Sequence, residues 1–98
     1  MIINKTVNDN ELTFALEGRL DTVTAPGLES QIKSSLDGIS SLIFDFSKLE
    51  YISSAGLRVL LAAQKIMNRQ GKMKICNIND TIAEIFEVTG FSDILTIE

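Results

Sequence analysis

A short apolar run in the middle of the chain, LIFDF within residues 41–46, constrains the fold more than any other segment. Its length and polar flanks predict a strand buried on both faces rather than a helix. Before it, Leu28, Ile32 and Leu36 recur at four-residue spacing, which is typical of a helix that ends near Asp37 and Gly38. After it, residues 54–70 keep a helical pattern. A buried strand between two helices predicts a sheet that helices cover.

The N-terminal segment predicts a β-hairpin. Residues 2–7 and 11–18 form its strands, and Asn8-Asp9-Asn10 supplies the turn. Alternation in the second strand places three residues on the core face: Leu12, Phe14 and Leu16. Thr22 and Thr24 are candidate N-caps for the helix that follows, and Pro26 suits its first turn.

The C-terminal third continues the alternation of strand and helix. Residues 72–78 predict a strand, and Thr81-x-x-Glu84 is a candidate capping box for a helix that Gly90 ends. That helix is expected to bury Ile82, Ile85, Phe86 and either Val88 or Thr89. Residues 94–97 predict a closing strand.

The resulting order is β-β-α-β-α-β-α-β. Strands joined by helices imply right-handed crossovers and parallel pairing. We therefore expect an α/β domain: a small mixed, mainly parallel sheet with an N-terminal hairpin and helices packed against it. Ninety-eight residues fit one domain, taken as 1–98.

Composition excludes several classes of function. The chain has no histidine, which removes Ser-His and Cys-His catalysis and histidine metal sites. A formal charge of −4 argues against a nucleic-acid partner, and no apolar run is long enough for membrane insertion. The single cysteine, Cys76, and the lack of a signal-like start favour the cytoplasm.

Basic residues concentrate in the middle of the chain. Between Tyr51 and Asn79 there are five Lys or Arg residues and no Asp or Glu. Helical spacing places four residues on one face: Arg58, Ala62, Lys65 and Arg69. This face either solubilises the exposed side of a core helix or binds a protein that the small Ala62 allows to approach closely.

The turn before this helix, Ser53-Ser54-Ala55-Gly56, allows two interpretations. Either serine can cap the helix by accepting a bond from a free backbone N–H. The same slim, positive helix end also receives an anion, such as a phosphate on one of the serines, with Arg58 one turn further on. These local residues leave a simple cap and a phosphoacceptor both open.

Catalytic interpretations of the same turn find less support. The chain lacks the GxSxG elbow, a lysine three residues after the serine and a GxxxxGK[ST] loop. Three carboxylates are scattered along the chain, and surface solvation explains them better than a metal or acid–base pair: Asp21, Asp45 and Glu50. We expect no enzyme activity, no cofactor and no metal.

Three segments resemble a known family in order and spacing: GRLDTVTAPGLE (18–29), LIFDFSKLEYISSAGLRVLL (42–61) and GKMKICNINDTIAEIFEVTGF (71–91). The chain resembles STAS domains, and more narrowly the single-domain bacterial anti-sigma factor antagonists. In that family a serine at the start of this helix is phosphorylated by the anti-sigma factor, a serine kinase of histidine-kinase-like ATPase fold. The unphosphorylated antagonist binds that kinase and releases the sigma factor. A PP2C-type phosphatase resets the switch.

The resemblance assigns roles residue by residue. Gly56 and Leu57 match the family motif directly, so Ser54 takes the place of the phosphorylated serine. Ser53 stands where an acidic residue is common and is the second-choice acceptor. The implied partner-binding residues are Asp21, Ser53, Gly56, Leu57, Arg58, Ala62 and Lys65.

A STAS accessory or scaffold subunit that is never phosphorylated, in a lipid-transport complex or a stressosome-like assembly, is the alternative. An enzyme using Ser54 as nucleophile is the third and least supported class.

Overall fold

The strands form one sheet that three helices cover on one side. A computed structural model describes residues 1–98, and the sheet order is β1-β2-β3-β4. β1 pairs antiparallel with β2, and the other neighbours pair in parallel. The predicted fold class is confirmed. In chain order the elements are β1 (Ile2–Asn8), β2 (Glu11–Leu20), α1 (Ala25–Ser35), β3 (Ser41–Ile52), α2 (Ser54–Gln70), β4 (Lys72–Cys76), α3 (Asp80–Thr89) and a 3₁₀ turn at Phe91–Asp93.

The core lies on one face of the sheet. Leu12, Phe14 and Leu16 point into it as predicted, within a single cluster of 24 buried hydrophobic residues. On the other face Ile43 and Asp45 are only half-buried, so the prediction that β3 is buried on both faces is wrong. The reason is topological: both crossovers run in the same direction across the sheet, and right-handed crossovers then place α1 and α2 on the same side.

β3 is twice as long as the strand predicted for this region. The predicted strand ended at Phe46, whereas β3 continues to Ile52. At two places, after Ala15 and after Gly18 on its partner strand, β3 carries one extra residue. These bulges give three-residue spacing to the buried Phe46, Leu49 and Ile52, and strict alternation could not detect a strand with that spacing.

The first helix begins where a cap at Thr24 predicts and ends slightly before its predicted end. Thr24 occupies the N-cap position, but its side chain makes no capping bond, and Pro26 lies in the first turn as expected. The helix ends at Ser35 rather than Asp37. One of the two predicted threonines, Thr24, holds the N-cap position, but its hydroxyl is used within the preceding turn and does not cap the helix.

The last helix is capped by a residue that precedes the predicted capping box. Asn79 Oδ1 accepts a bond from the backbone N–H of Ile82 at 2.8 Å, and its amide donates to the Leu49 carbonyl at 3.1 Å. The capping-box prediction is therefore wrong. Ile82 and Phe86 are buried as expected, whereas Val88 is 76% exposed, and Thr89 is also exposed.

The predicted closing strand at 94–97 is replaced by a turn and a single bridge. The backbone N–H groups of Ile94 and Leu95 both bond back to the Phe91 carbonyl, at 3.0 and 2.9 Å, so they are not free to pair with a strand. Only Ile97 makes a bridge, to Ile75. β4 likewise ends at Cys76 rather than residue 78, because the chain turns at Asn77, which has a φ of 61°.

The side chain of Gln70, the last residue of α2, bonds that helix to the loop between α1 and β3. Its Nε2 donates to the carbonyls of Leu36 and Ile39, at 2.7 and 2.6 Å. We expect Gln70→Ala to lower the free energy of unfolding by about 1–2 kcal/mol, since both bonds are lost. Urea denaturation measures this, with Gln31→Ala on exposed α1 surface as the control. Equal stabilities of the two variants would contradict the role of the two bonds.

Candidate functional site

Two loops leave the sheet side by side at the carboxyl ends of β2 and β3. Leu20 pairs with Ile52 at the end of the parallel ladder, and the Ser53 N–H donates to the Leu20 carbonyl at 2.9 Å. The turn that starts at Asp21 and the start of α2 at Ser54 therefore emerge at the same edge. Such edges of parallel strands are common binding sites.

The two serines at this edge have different environments. Ser53 is the N-cap of α2, with an extended backbone, and its hydroxyl accepts from the Gly56 N–H at 3.5 Å, a long bond. Ser54 is the first helical residue, is exposed and has a hydroxyl that bonds to no other residue of the protein. Of the two serines that the sequence offers as caps, Ser53 has the cap geometry and Ser54 does not.

Gly56 brings the first turn of α2 into direct contact with the strand ends. A Cβ atom added to it would lie 2.7 Å from Ile52 Cγ1 and 2.7 Å from Leu20 Cγ. Leu57 follows as a core residue, 5% exposed. Gly56 and Leu57 thus hold Ser54 at this edge, but both are buried and offer little surface to a partner.

Asp21 organises the neighbouring turn. Its Oδ1 accepts from the backbone N–H groups of Val23 and Thr24, at 3.0 and 3.1 Å. In return, Thr24 Oγ1 accepts from the Asp21 N–H at 2.8 Å and donates to the Arg19 carbonyl at 2.8 Å. The Thr24 backbone N–H, foremost among these donors, lowers the pKa of the Asp21 carboxyl below its ordinary value. A charged Asp21 therefore fixes this turn at neutral pH.

An open groove of about 270 Å³ lies beside Ser54, between the first turns of α1 and α2. One wall comes from the Asp21 turn and α1, the other from α2. Neighbours of both Asp21 and Ser54 contribute to it, so the groove joins the two loops. Its lining residues are Thr22, Ala25, Pro26, Glu29, Ala55, Arg58 and Val59.

The basic face of α2 is exposed as predicted. Arg58, Lys65 and Arg69 all face solvent, and Ala62 between them is half-buried. The two ion pairs of the protein, Lys33–Glu29 and Lys74–Glu98, involve none of these residues. The charges of Arg58, Lys65 and Arg69 are therefore available to an external anion or acidic surface.

Of the three carboxylates considered for other chemistry, Asp21 and Asp45 bond within the fold and Glu50 is exposed. Asp45 Oδ1 accepts from Asn77 Nδ2 and from the Ser47 N–H, both at 3.0 Å. The Asn77 bond is the first cause of a lowered pKa at Asp45.

No group of three His, Cys, Asp or Glu side chains is placed to hold a metal ion. None of the helices has both the length and the apolar character needed to cross a membrane.

A family assignment follows from comparison with known proteins. The family model of the STAS domain matches residues 3–98. This chain belongs to the STAS domain family. BtrV of Bordetella bronchiseptica, assigned as an anti-sigma factor antagonist, is 35% identical over 91% of this chain and 78% of its own length. The anti-sigma-B factor antagonist of Bacillus subtilis is 26% identical over 92% of this chain and 84% of its own length.

Solved structures share the STAS fold. The anti-sigma factor antagonist SpoIIAA in its unphosphorylated form aligns with a TM-score of 0.79 at 17% identity, covering 99% of this chain and 87% of that one. Its phosphorylated form, from Bacillus, aligns at 0.77 with 17% identity, over 99% of this chain and 91% of that one. An anti-sigma factor antagonist from Mycobacterium paratuberculosis aligns at 0.88 with 23% identity, over 98% and 83% of the two chains. At these identities the likeness concerns the fold.

Two features of the edge where β2 and β3 end were not predicted from the sequence. The Arg19 guanidinium lies over the Tyr51 ring at 4.4 Å, next to the paired strand ends. Val23 at the tip of the Asp21 turn is 86% exposed. The Asp-x-x-Thr spacing at 21–24 is a turn signal that could have identified that tip, whereas nothing in the sequence marks the Arg19–Tyr51 stacking.

Proposed function

We propose that this protein is an anti-sigma factor antagonist in a partner-switching pathway. The unphosphorylated form binds a serine-kinase anti-sigma factor of histidine-kinase-like ATPase fold and thereby releases the sigma factor. Phosphorylation of Ser54 ends that binding, and a PP2C-type phosphatase restores it. The observation that carries the proposal is the exposed, unbonded Ser54 hydroxyl beside the Asp21 turn and an unpaired basic face.

The relatives support this assignment. Two of them, at 35% and 26% identity, are anti-sigma factor antagonists by name, and SpoIIAA has been solved in both unphosphorylated and phosphorylated forms. On this proposal, residues 1–98 act as one cytoplasmic domain with no catalysis, nucleic-acid binding or membrane insertion of its own.

The environment of Ser54 suits phosphoryl transfer from a bound kinase. The Ser54 oxygen attacks the γ-phosphorus of ATP, the bond to the β-phosphate oxygen breaks, ADP leaves, and the hydroxyl proton passes to a base on the kinase. Ser53 is a poorer acceptor because its hydroxyl is half-buried and turned toward the helix end.

The phosphate should act on the partner rather than on the fold. An anion at the first turn of a helix is favourable by about 0.3–1 kcal/mol, which tolerates a phosphate without rearranging a domain. At an interface, by contrast, burying a phosphate without a partner charge is costly. Release of the kinase follows from that difference.

The proposal is tested by titrating the purified protein against each ATPase-fold serine kinase encoded in the same genome, using isothermal titration calorimetry. We expect one kinase to bind the unmodified protein and to bind far more weakly after phosphorylation. A kinase that phosphorylates the protein but binds both forms equally would contradict partner switching. If no such kinase binds, a scaffold function is favoured instead.

Arg58→Glu is expected to slow association with the kinase by about 5–10-fold, because a rim charge acts mainly on the encounter rate. Stopped-flow measurements at two salt concentrations check this. Lys72→Glu makes the same charge change at an exposed position at the start of β4, the opposite end of the parallel strands, and is expected to have little effect. Equal association rates for wild type and Arg58→Glu would indicate that the basic face only solubilises α2 and does not contact the kinase.

A further inference from the structure

An exposed valine stands at the tip of the Asp21 turn. Val23 is 86% exposed, more than any other large hydrophobic residue in the protein. It contributes almost nothing to the core, so folding does not account for an apolar side chain at this position. A single exposed apolar side chain is common on a protein surface, and what distinguishes Val23 is its place in the fixed turn beside Ser54.

The turn holds this side chain in one place. Asp21 Oδ1 accepts from the Val23 N–H itself at 3.0 Å, and Thr24 Oγ1 closes the turn with bonds to the backbone of Asp21 and Arg19, both at 2.8 Å. A β-branched side chain also has few rotamers to lose. A contact made by Val23 therefore has a low cost in conformational entropy.

The position of Val23 determines what can cover it. Thr22 and Ala55 line the same groove, and they are the chain neighbours of Val23 and Ser54. A protein that brings ATP in line with Ser54 must lie over this edge, and a standard interface covers about 800 Å² of each partner. Apolar side chains line part of this groove, namely Ala25, Pro26, Ala55 and Val59, and Glu29 and Arg58 give it charged groups.

We propose that Val23 is an apolar anchor that inserts into a pocket of the kinase that phosphorylates Ser54, and that Asp21 is the positioning residue that holds it. This inference rests on the proposed function. It assigns Asp21 an indirect role: one carboxylate oxygen fixes the turn that presents Val23.

The anchor is tested with a matched pair of valines. Val23→Ser should weaken binding of the kinase by about tenfold, because the apolar pocket on the kinase would no longer be filled by a valine side chain. Val88→Ser, at a position 76% exposed on α3, should bind like the wild type. Thermal melts verify that both variants are folded. Binding by Val23→Ser within about twofold of wild type overturns the anchor.

The positioning role is tested with two variants of Asp21. Asp21→Asn keeps a side-chain oxygen for the turn and should bind within about threefold of wild type, whereas Asp21→Ala should lose as much as Val23→Ser. If the Asn variant is as weak as the Ala variant, the charge itself contacts the kinase and the positioning role is overturned. Failure of the wild type to bind any ATPase-fold kinase overturns both this inference and the proposed function.

Discussion

Ser54→Asp is expected to raise the dissociation constant for the kinase by about 10–100-fold, the range of typical coupling energies between a modification and a binding site. The same substitution places a negative charge at the first residue of α2, where it should leave stability unchanged or raise it by about 0.3–1 kcal/mol. Binding is therefore weakened without a loss of stability. Calorimetry and chemical denaturation on one sample measure both.

Ser54→Asn is the matched control, since it has nearly the size of aspartate and no charge. We expect it to bind within about threefold of wild type. If Asn weakens binding as much as Asp, then bulk rather than charge releases the kinase. If Asp binds like the wild type, the phosphate is not the release signal.

Gly71→Ala is expected to lower the free energy of unfolding by about 3 kcal/mol. A Cβ at this position would lie 1.9 Å from the Ser40 carbonyl oxygen and 2.6 Å from its carbon. Ser40 cannot retreat, because its N–H bonds to Asn10 and its carbonyl accepts from the Lys72 N–H, both at 2.9 Å. Such a loss lowers the melting temperature by roughly 10–25 °C in a domain of this size.

Gly27→Ala provides the opposite expectation in the same assay. Gly27 lies within α1, and a Cβ there meets nothing within 4 Å. Alanine in a helix is favoured over glycine by about 0.5–1 kcal/mol, so this variant should be more stable than wild type. Similar melting temperatures for Gly71→Ala and Gly27→Ala would contradict the close approach of Gly71 and Ser40.

The order of elements was predictable because the local signals agree with the packing. α2 spans Ser54–Gln70 as predicted, since a serine-rich start, a continuous apolar stripe and a final glycine all indicate the same helix. The predicted strand at 94–97 is wrong because the backbone N–H groups of Ile94 and Leu95 bond back to the Phe91 carbonyl. A short apolar segment does not reveal that pairing.

The exposed basic face was predictable from the sequence, but the geometry of the candidate site was not. The position of Gly56 in the family motif assigns the acceptor role to Ser54 rather than Ser53, and this stays a prediction, whereas cap roles depend on backbone angles that a pair of adjacent serines does not encode. The two bulges in β3 bring Ile52 level with Leu20. Tertiary pairing of this kind places the Asp21 turn beside Ser54, and no local pattern contains it.

The identity of the phosphorylated serine is the most direct test of the account. The protein is incubated with the kinase that binds it and ATP, and intact-mass and peptide mass spectrometry locate the modification. We expect one phosphoryl group on Ser54, none on Ser54→Ala and one on Ser53→Ala. A phosphate on Ser53, or unchanged phosphorylation of Ser54→Ala, would contradict the central claim.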